Sequence, residues 1–371
     1  MNNFTFQVPI NQTSFGSIGI ALLYELFKAN LAPPVFCIGG PDVSAQRVDD
    51  DFGMWLNGVL NKSLKSHNRQ KNECFRLWHC NQDAISSISD KEVFLTFIET
   101  DEITEIEQNI LAQKKTVFVT SNHLKNVCND YGLNSVKYLQ IGFDHRNFQR
   151  IEKRPYNDDR IVHGIFGKAE VRKSTQKVIR AWAKKYGVPK TGVRPKHFLH
   201  AAVYNNFLIE NRNGQIIDHN QAIMQEFANY GNIDFYPWLK TNAEYNQLLN
   251  SVDIVLGLSR GENIGLPEMT CCGLGKHAVM LNAHGYKDWI TPENSVLVQP
   301  SGKIIAEDGI WFKKGNAFLQ GNFYEFEDDA AIAGIEEAVK RYESNPLNVS
   351  GLELQKRTYK QTLDQILAEF N

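Results

Sequence analysis

The stretch Ser259-Arg260-Gly261-Glu262-Asn263-Ile264-Gly265-Leu266-Pro267-Glu268-Met269 follows an apolar run, Asp253 to Leu258, and leads into a helical pattern that begins at Leu266. The run reads as a strand, and Pro267 suits the first turn of the helix, where a missing N–H costs nothing. A strand–loop–helix step sets the loop amides and the positive helix end at the carboxyl edge of a sheet. That is a ready anion site, suited to a diphosphate. Glu262 adds a carboxylate able to accept hydrogen bonds from sugar hydroxyls. By itself, Gly261-x-x-x-Gly265 also fits a plain βα loop with a solvent-exposed Glu.

A second stretch makes the reading specific. Gly167-Lys168-Ala169-Glu170-Val171-Arg172-Lys173-Ser174 lies between a strand, Ile161 to Phe166, and a helix, Ser174 to Lys185. Its cations are placed to neutralise charge on a phosphate leaving group. Alone it is a basic turn. Both stretches fall in the same half of the chain, each at the carboxyl end of an expected strand.

Outward from these loops, apolar runs alternate with helical patterns through the chain, the signature of parallel sheets with helices on their faces. Strands are expected at Phe4 to Ile10, Pro34 to Ile38, Cys74 to Trp78, Val93 to Ile98 and Thr116 to Thr120. A small-residue turn, Thr13 to Gly19, leads into the first helix, and the acidic stretch from Glu99 to Glu107 opens another. Ser121 is placed to cap the next. The polar segment from His145 to Arg160, with Pro155 and Asn157-Asp158-Asp159, has the composition of a linker. Beyond it, strands are expected at His197 to Val203, Ile233 to Tyr236 and Asp253 to Leu258. At the end, Leu352, Tyr359, Leu363, Leu367 and Phe370 share one face of a single amphipathic helix, Leu352 to Phe370.

The 371 residues suggest two domains, each able to bury a core. Forty basic against 42 acidic residues leave a net charge of -2, so no global field recruits nucleic acid or membrane. The six cysteines form no CxxC pair and suit a reduced compartment. No secretory signal and no run of 18 apolar residues is present, so a cytoplasmic protein is expected, in the host's cytoplasm if the chain is viral. A nicotinamide-dependent oxidoreductase would need Gly-x-Gly-x-x-Gly, of which Phe15-Gly16-Ser17-Ile18-Gly19 supplies only Gly16 and Gly19.

The second half resembles the retaining glycosyltransferases of the GT-B fold (the group 1 type). Their Glu-Gly-Phe-Gly-Leu-Pro pattern, with a Cys-Gly or Ala-Gly turn before a strand, is matched by Glu262 to Pro267, Leu274-Gly275 and His277 to Leu281. Their Gly-Arg and Lys-Gly pair is matched loosely by Gly167-Lys168 and Lys173-Ser174. Upstream, Thr120-Ser121-Asn122-His123, Ile141-Gly142-Phe143-Asp144 and the glycines Gly16 and Gly19 fall where such enzymes place corresponding segments.

The resemblance implies an α/β protein of two Rossmann-like domains facing a cleft. The implied units are an acceptor-side domain (1–148), a linker (149–160), a nucleotide-sugar donor domain (161–345) and a C-terminal helix (346–371) crossing back to the first domain. It implies sugar transfer from a nucleoside-diphosphate sugar, UDP-sugar foremost, with retention and without metal or other cofactor. Lys168 and Lys173 would assist the departing diphosphate and Glu262 would hold the sugar. Gly16, Gly19, Asn263, Ile264, Gly265 and Leu266 would line the donor. Tyr236 or Trp238 would border the base, with core packing as the competing role. Glu99 and His123 are acceptor-side candidates, set against a helix-start Glu and a loop His. One departure stands out: where the family has a second Glu, eight positions after the first, this chain has Thr270. Glu268 lies two residues earlier, facing elsewhere on the helix.

The acceptor is the open part. A glycan or small molecule is the larger class, and a catalytically silent sugar-nucleotide-binding module is the reading without chemistry. A third reading, transfer to a hydroxymethylated base of phage-type DNA, draws on charge runs. No acid occurs from Val171 to Ile209, which holds Arg172, Lys173, Lys177, Arg180, Lys184, Lys185, Lys190, Arg194 and Lys196; Asn57 to Asn72, also acid-free, holds Lys62, Lys65, Arg69 and Lys71. The competing reading is a solvated surface. Asp49-Asp50-Asp51, which invites a metal reading, is better placed as a helix cap.

Overall fold

Short, mostly apolar strands such as Phe4–Val8, Glu92–Leu95 and Thr116–Val119 are buried at every residue, the polar Thr5, Gln7, Glu92 and Thr116 included. That is what a strand needs when helices cover both faces of its sheet. The computed structural model describes residues 4–65, 72–152, 155–156, 158–190, 194–205, 208–210 and 216–370. The first parallel sheet has the order β2-β1-β3-β4-β5-β6, with β1 Phe4–Val8, β2 Val35–Cys37, β3 Glu73–Leu77, β4 Glu92–Leu95, β5 Thr116–Val119 and β6 Val136–Tyr138. Next come β7 Ile161–Lys168, β8 His197–Tyr204, a small hairpin of β9 Leu208–Glu210 and β10 Ile216–Asp218, and β11 Ile233–Phe235. With β12 Ile254–Gly257, β13 His277–Leu281 and β14 Val296–Val298 they build a second parallel sheet, β11-β8-β7-β12-β13-β14. A hairpin of β15 Gly302–Ile305 and β16 Asn322–Glu325 follows.

The strand orders decide where ligands can lie. In the second sheet the chain works outward from β7 through β8 to β11 and then crosses back to β12 on β7's other side. The crossovers on the two sides of β7 diverge and leave a crevice at the carboxyl ends of β7 and β12. The loops that open there are 168–174 and 258–265.

The first helix starts at Ser14, so Gly16 and Gly19 stand inside it, not in a turn before it. Both lack a Cβ because the chain leaving β1 runs against the helix: a Cβ on Gly16 would collide with Asn11, and one on Gly19 with the Pro9 carbonyl. Asp49 caps the helix Asp50–Leu64 by accepting from the Phe52 amide at 2.8 Å, with Asp50 and Asp51 in its first turn. The triple-Asp run is used as a helix start. Ser121 caps Asn122–Asp130 as expected. The helix after β4 starts only at Glu105, behind a Thr104–Glu107 capping box, which leaves Glu99 in the loop before it.

The C-terminal segment is not one helix. It breaks into Val349–Leu352, a 3-10 turn at Glu353–Lys356 and a helix Tyr359–Leu367 capped by a Thr358–Gln361 box. The break lets the chain cross back to the first sheet's domain. The Phe143 amide donates to Arg357 O at 2.7 Å, and Gly142 leaves room for the Tyr359 backbone. Phe370 then stacks on Phe4 with ring centroids 5.0 Å apart, a contact worth about 1 kcal/mol beyond its burial.

The two halves are joined by polar contacts. Gln46 Oε1 accepts from Asn147 at 2.9 Å and Asn242 at 3.1 Å, and Asp288 accepts from the Asn122 amide at 3.0 Å. The β15–β16 hairpin reaches the loop after β4, where Asp101 takes Lys303 at 2.6 Å and the Asn322 amide at 2.7 Å. Among the described residues, no helix is long and apolar enough to cross a membrane.

Candidate active site

The two loops at the crevice are zipped together by backbone as well as side chains. Arg172 O accepts from the Arg260 amide at 2.8 Å and from Ser259 Oγ at 3.3 Å. In return, Arg172 Nη1 donates to Gly261 O at 2.6 Å and Arg260 Nη2 to Val171 O at 2.8 Å. Each loop then enters a helix, Thr175–Tyr186 or Leu266–Gly273, through a left-handed residue, Ser174 or Gly265, and neither helix has a side-chain cap. Uncapped first-turn amides leave the positive ends of both helices available to an anion. Gly265 needs its φ of +72°, and a Cβ there would run into Tyr286 and stand 2.9 Å from Glu268 Oε2.

A compact charge cluster fills the crevice. Lys173 Nζ donates to Glu262 Oε2, and Arg172 Nη1 lies 3.5 Å from the same oxygen. Arg172 Nη2 reaches Glu170 at 3.0 Å and, from the first domain, Glu99 at 3.7 Å. The Arg172, Lys173 and Glu262 side chains are 9%, 13% and 11% exposed. Burial pushes the Glu262 carboxyl up, but Lys173 and Arg172 outweigh it and hold it down to about 2. Burial opposes the charge on Arg172, yet Glu99, Glu170 and Glu262 hold its guanidinium above the ordinary arginine value. Glu99 goes the other way: burial raises its carboxyl more than Arg172 lowers it.

Lys168, expected to act together with Lys173, stands apart from it. Its side chain is 61% exposed at the mouth and its ammonium lies 3.5 Å from Glu170. Asn263 is buried, and neither its amide nitrogen nor its amide oxygen has a partner among the described residues. An uncompensated buried amide costs free energy that a ligand would recover. Ile264 and Leu266 line the same turn, and Ile264 O accepts from the Trp289 indole at 2.7 Å. Thr270 is buried on the helix behind. Glu268 is buried too, with Oε1 accepting from Tyr286 at 3.3 Å and Oε2 unpartnered among the described residues; burial raises its carboxyl.

The two aromatic candidates part company. Tyr236 turns inward, its hydroxyl 3.4 Å from His200 Nδ1 and its ring 5.0 Å from that imidazole. Trp238 is half exposed, and its indole N–H donates across the cleft to Gln12 at 2.7 Å. From the first domain, His123 sets its ring 5.9 Å from Tyr324, with a buried Nε2 that has no partner among the described residues. His284 completes this side. It donates to Ser259 O at 2.8 Å, its ring also lies 5.9 Å from Tyr324, and burial lowers it to about 4.

Three residues here escape a reading of the sequence. Arg172 and Glu170 sit inside the loop that draws attention to Lys168 and Lys173, yet nothing local tells which cation turns inward. His284 had one signal, the glycine after it: Gly285 has no Cβ because the Asn263 backbone occupies that space, and its amide donates to Glu262 O at 3.1 Å.

The basic run is not a free cationic face. Lys177 pairs with Glu325, Arg180 with Glu226, Lys184 with Asp329, Lys185 with Glu336, Arg194 with Asp158 and Lys196 with Glu343. In the other acid-free run, Lys62 donates to Ala32 O at 2.7 Å, and Arg69 and Lys71 lie outside the described residues.

The architecture is that of the GT-B fold, two Rossmann-like domains with the C-terminal helix packed on the first. Sucrose-phosphate synthase from Thermosynechococcus elongatus is similar over 99% of this chain and 94% of its own, with a TM-score of 0.62 at 12% identity. HepE of Anabaena, solved in complex with UDP and glucose, is similar over 100% and 99%, with a TM-score of 0.61 at 12% identity. WaaG, a glycosyltransferase involved in lipopolysaccharide biosynthesis, is similar over 98% of both chains, with a TM-score of 0.58 at 10% identity. What is shared at such identities is the fold. No protein-family model matches the sequence, and no curated protein matches it.

Proposed function

We propose that this protein transfers a sugar from a nucleoside-diphosphate sugar, UDP-sugar foremost, to the hydroxyl of a glycan or small molecule. The observation that carries the reading is the crevice between β7 and β12. There two uncapped helix ends, the Arg172 and Lys173 cations and the Asn263 amide, unpartnered among the described residues, lie about a buried, ionised Glu262. A diphosphate satisfies the helix ends and the cations together, and Glu262 then accepts from sugar hydroxyls. HepE, similar in fold, was solved with UDP and glucose, which supports this choice of donor.

In the transfer step the bond from the anomeric carbon to the diphosphate oxygen breaks, the bond to the acceptor oxygen forms, the acceptor's proton passes to the leaving phosphate, and negative charge accumulates on that phosphate in the transition state. Arg172 and Lys173 stabilise that charge more in the transition state than in the ground state, which is how they accelerate the step without a metal. Lys168, at the mouth, adds a third cation once the donor is seated. Glu99 and His123 face the donor from the first domain, on the acceptor's side, and attack from the face the diphosphate leaves gives retention. Trp238, half exposed at the cleft although its indole N–H is held by Gln12, is a better surface for the base than the inward-turned Tyr236. Ribose is held without a carboxylate at Thr270. Transfer to DNA loses its main support, because most of the cations between Val171 and Ile209 that would follow a phosphate backbone are paired within the protein.

The test is incubation with a panel of nucleotide sugars, with and without candidate acceptors, following release of nucleoside diphosphate. UDP release from at least one donor is expected. A protein that hydrolyses and transfers none of them, while UDP still raises its melting temperature, is the silent binding module. If neither UDP nor any donor shifts the melting temperature, the donor-site reading is wrong.

A further inference from the structure

The crevice holds three carboxylates, Glu99, Glu170 and Glu262, around Arg172, and they differ in how they are tied down. Glu170 belongs to the arginine's own loop, and Glu262 is held by Lys173 as well. Glu99 alone comes from the other domain, where it follows β4 at the cleft, and its 3.7 Å approach to Arg172 Nη2 is the longest of the three. Its backbone is fixed in place: a Cβ on Gly261 would stand 2.7 Å from Glu99 O, so the two domains touch through a glycine at this point. The charged groups around Glu99 are Arg172, Lys173 and Glu170 of one loop and Glu262 of the other.

Arg172, Lys173 and Lys168 balance these three carboxylates one for one, and a fourth acid, Glu268, whose carboxyl burial raises, lies beside Lys173 and Glu262 and adds no cation. A diphosphate entering on the same cations adds two negative charges, so a carboxylate has to release its cation. Glu170 accepts from Arg172 and Glu262 from Lys173, whereas among the described residues the Glu99 carboxylate accepts no hydrogen bond, so its hold on Arg172 is charge alone and the one most readily given up.

We propose that Glu99 is a positioning residue that competes with the donor for Arg172: it holds the guanidinium in the free protein, gives it up to the diphosphate, and is then left facing the acceptor. The proposal rests on the donor-site reading above and deepens it. Donor binding would thereby free a first-domain carboxylate to meet the acceptor hydroxyl, which makes the donor the first substrate to bind.

Removing a competing charge strengthens binding, so Glu99→Gln should bind UDP more tightly than the native protein, by about fivefold for a half-screened ion pair. The gain depends on pH in a defined sense. A protonated Glu99 does not compete, so the two proteins converge at low pH and separate as pH rises and Glu99 ionises. The experiment is UDP titration by calorimetry from pH 5 to 8. UDP's own ionisation is common to both proteins and cancels in the ratio of their Kd values. That ratio should climb with pH in the native background and stay flat when Glu99→Gln is made in an Arg172→Gln protein, with thermal unfolding confirming that each variant folds. A ratio of one at every pH, weaker binding by Glu99→Gln, or a gain that persists without Arg172 overturns the proposal. UDP failing to bind even the native protein overturns the donor-site reading and this proposal with it; binding with a flat ratio overturns this proposal alone.

Discussion

Replacing Glu262 by Gln removes one negative charge from between two buried cations while keeping the side chain's size. The structure sets the scale. A carboxyl held at about 2 instead of its ordinary 4.5 favours its ionised form in the folded protein by about 3 kcal/mol. Because the Gln carbonyl still accepts from Lys173, a loss of about 2 kcal/mol is expected at neutral pH. The sign with pH follows from the direction of the shift. A depressed carboxyl contributes stability that is complete above pH 4.5 and is lost as pH falls toward 2. The gap between native and Glu262→Gln proteins, read from urea unfolding, should therefore close over that window. Glu99 and Glu268 are present in both proteins, but the Glu262 charge is among the causes that raise their carboxyls, so both are raised less in the variant, which narrows the gap at neutral pH. The same variant leaves Lys173 and Arg172 short of a counter-charge, so UDP should raise its melting temperature by more than it raises the native protein's. Sugar transfer, which needs the carboxylate to place the sugar, should fall on the order of a hundredfold. Equal stabilisation by UDP, or a stability gap that stays constant from pH 5 to pH 2, would refute the electrostatic account of this site.

Gly261→Ala puts a methyl group against Glu99 O, Phe323 and Arg172, at 2.7, 3.0 and 3.2 Å. About 1–3 kcal/mol of destabilisation is expected in thermal unfolding, with weaker UDP binding because the donor loop is pushed away from the first domain. On the proposed stacking role, Trp238→Ala should weaken UDP binding at least fivefold, on the order of 1–3 kcal/mol, whereas Tyr236→Phe should leave the affinity unchanged; the same calorimetric titration reads both. Plain duplex DNA should show no binding at about 50 mM salt by fluorescence anisotropy, since most of the run from Val171 to Ile209 is internally neutralised. Tight, salt-sensitive binding there would restore the DNA-acceptor reading.

Much of the architecture is legible residue by residue. The buried strands are apolar runs, Ser121 and Asp49 cap the helices they precede, and Pro267 sits in a first turn. Elements that depend on distant partners escape such a reading. β6 and β14 are three residues long, too short to show a period, and exist because a neighbouring strand offers its edge. The C-terminal break at Arg357–Thr358 is set by Phe143, whose amide takes the Arg357 carbonyl. Glu99 reads as the start of an acidic helix because charge patterns are local, whereas its burial beside Arg172 is a property of two domains meeting.

What the sequence determined by itself was local: two series of strand–loop–helix units and two loops of the kind that suit an anion, one holding Glu170 and the other Glu262. These follow from periodicity, glycine and proline, which act over a few residues. Tertiary structure decided which loops share a crevice, because only the strand order puts β12 beside β7. It decided that Arg172 turns inward while Lys168 stays at the surface. It also decided the fate of the acid-free run, since Arg180, Lys184, Lys196 and Lys177 find their acids 46, 145, 147 and 148 residues away. Charge balance in a folded chain is settled between surfaces in contact, and a linear sequence does not show which surfaces those are.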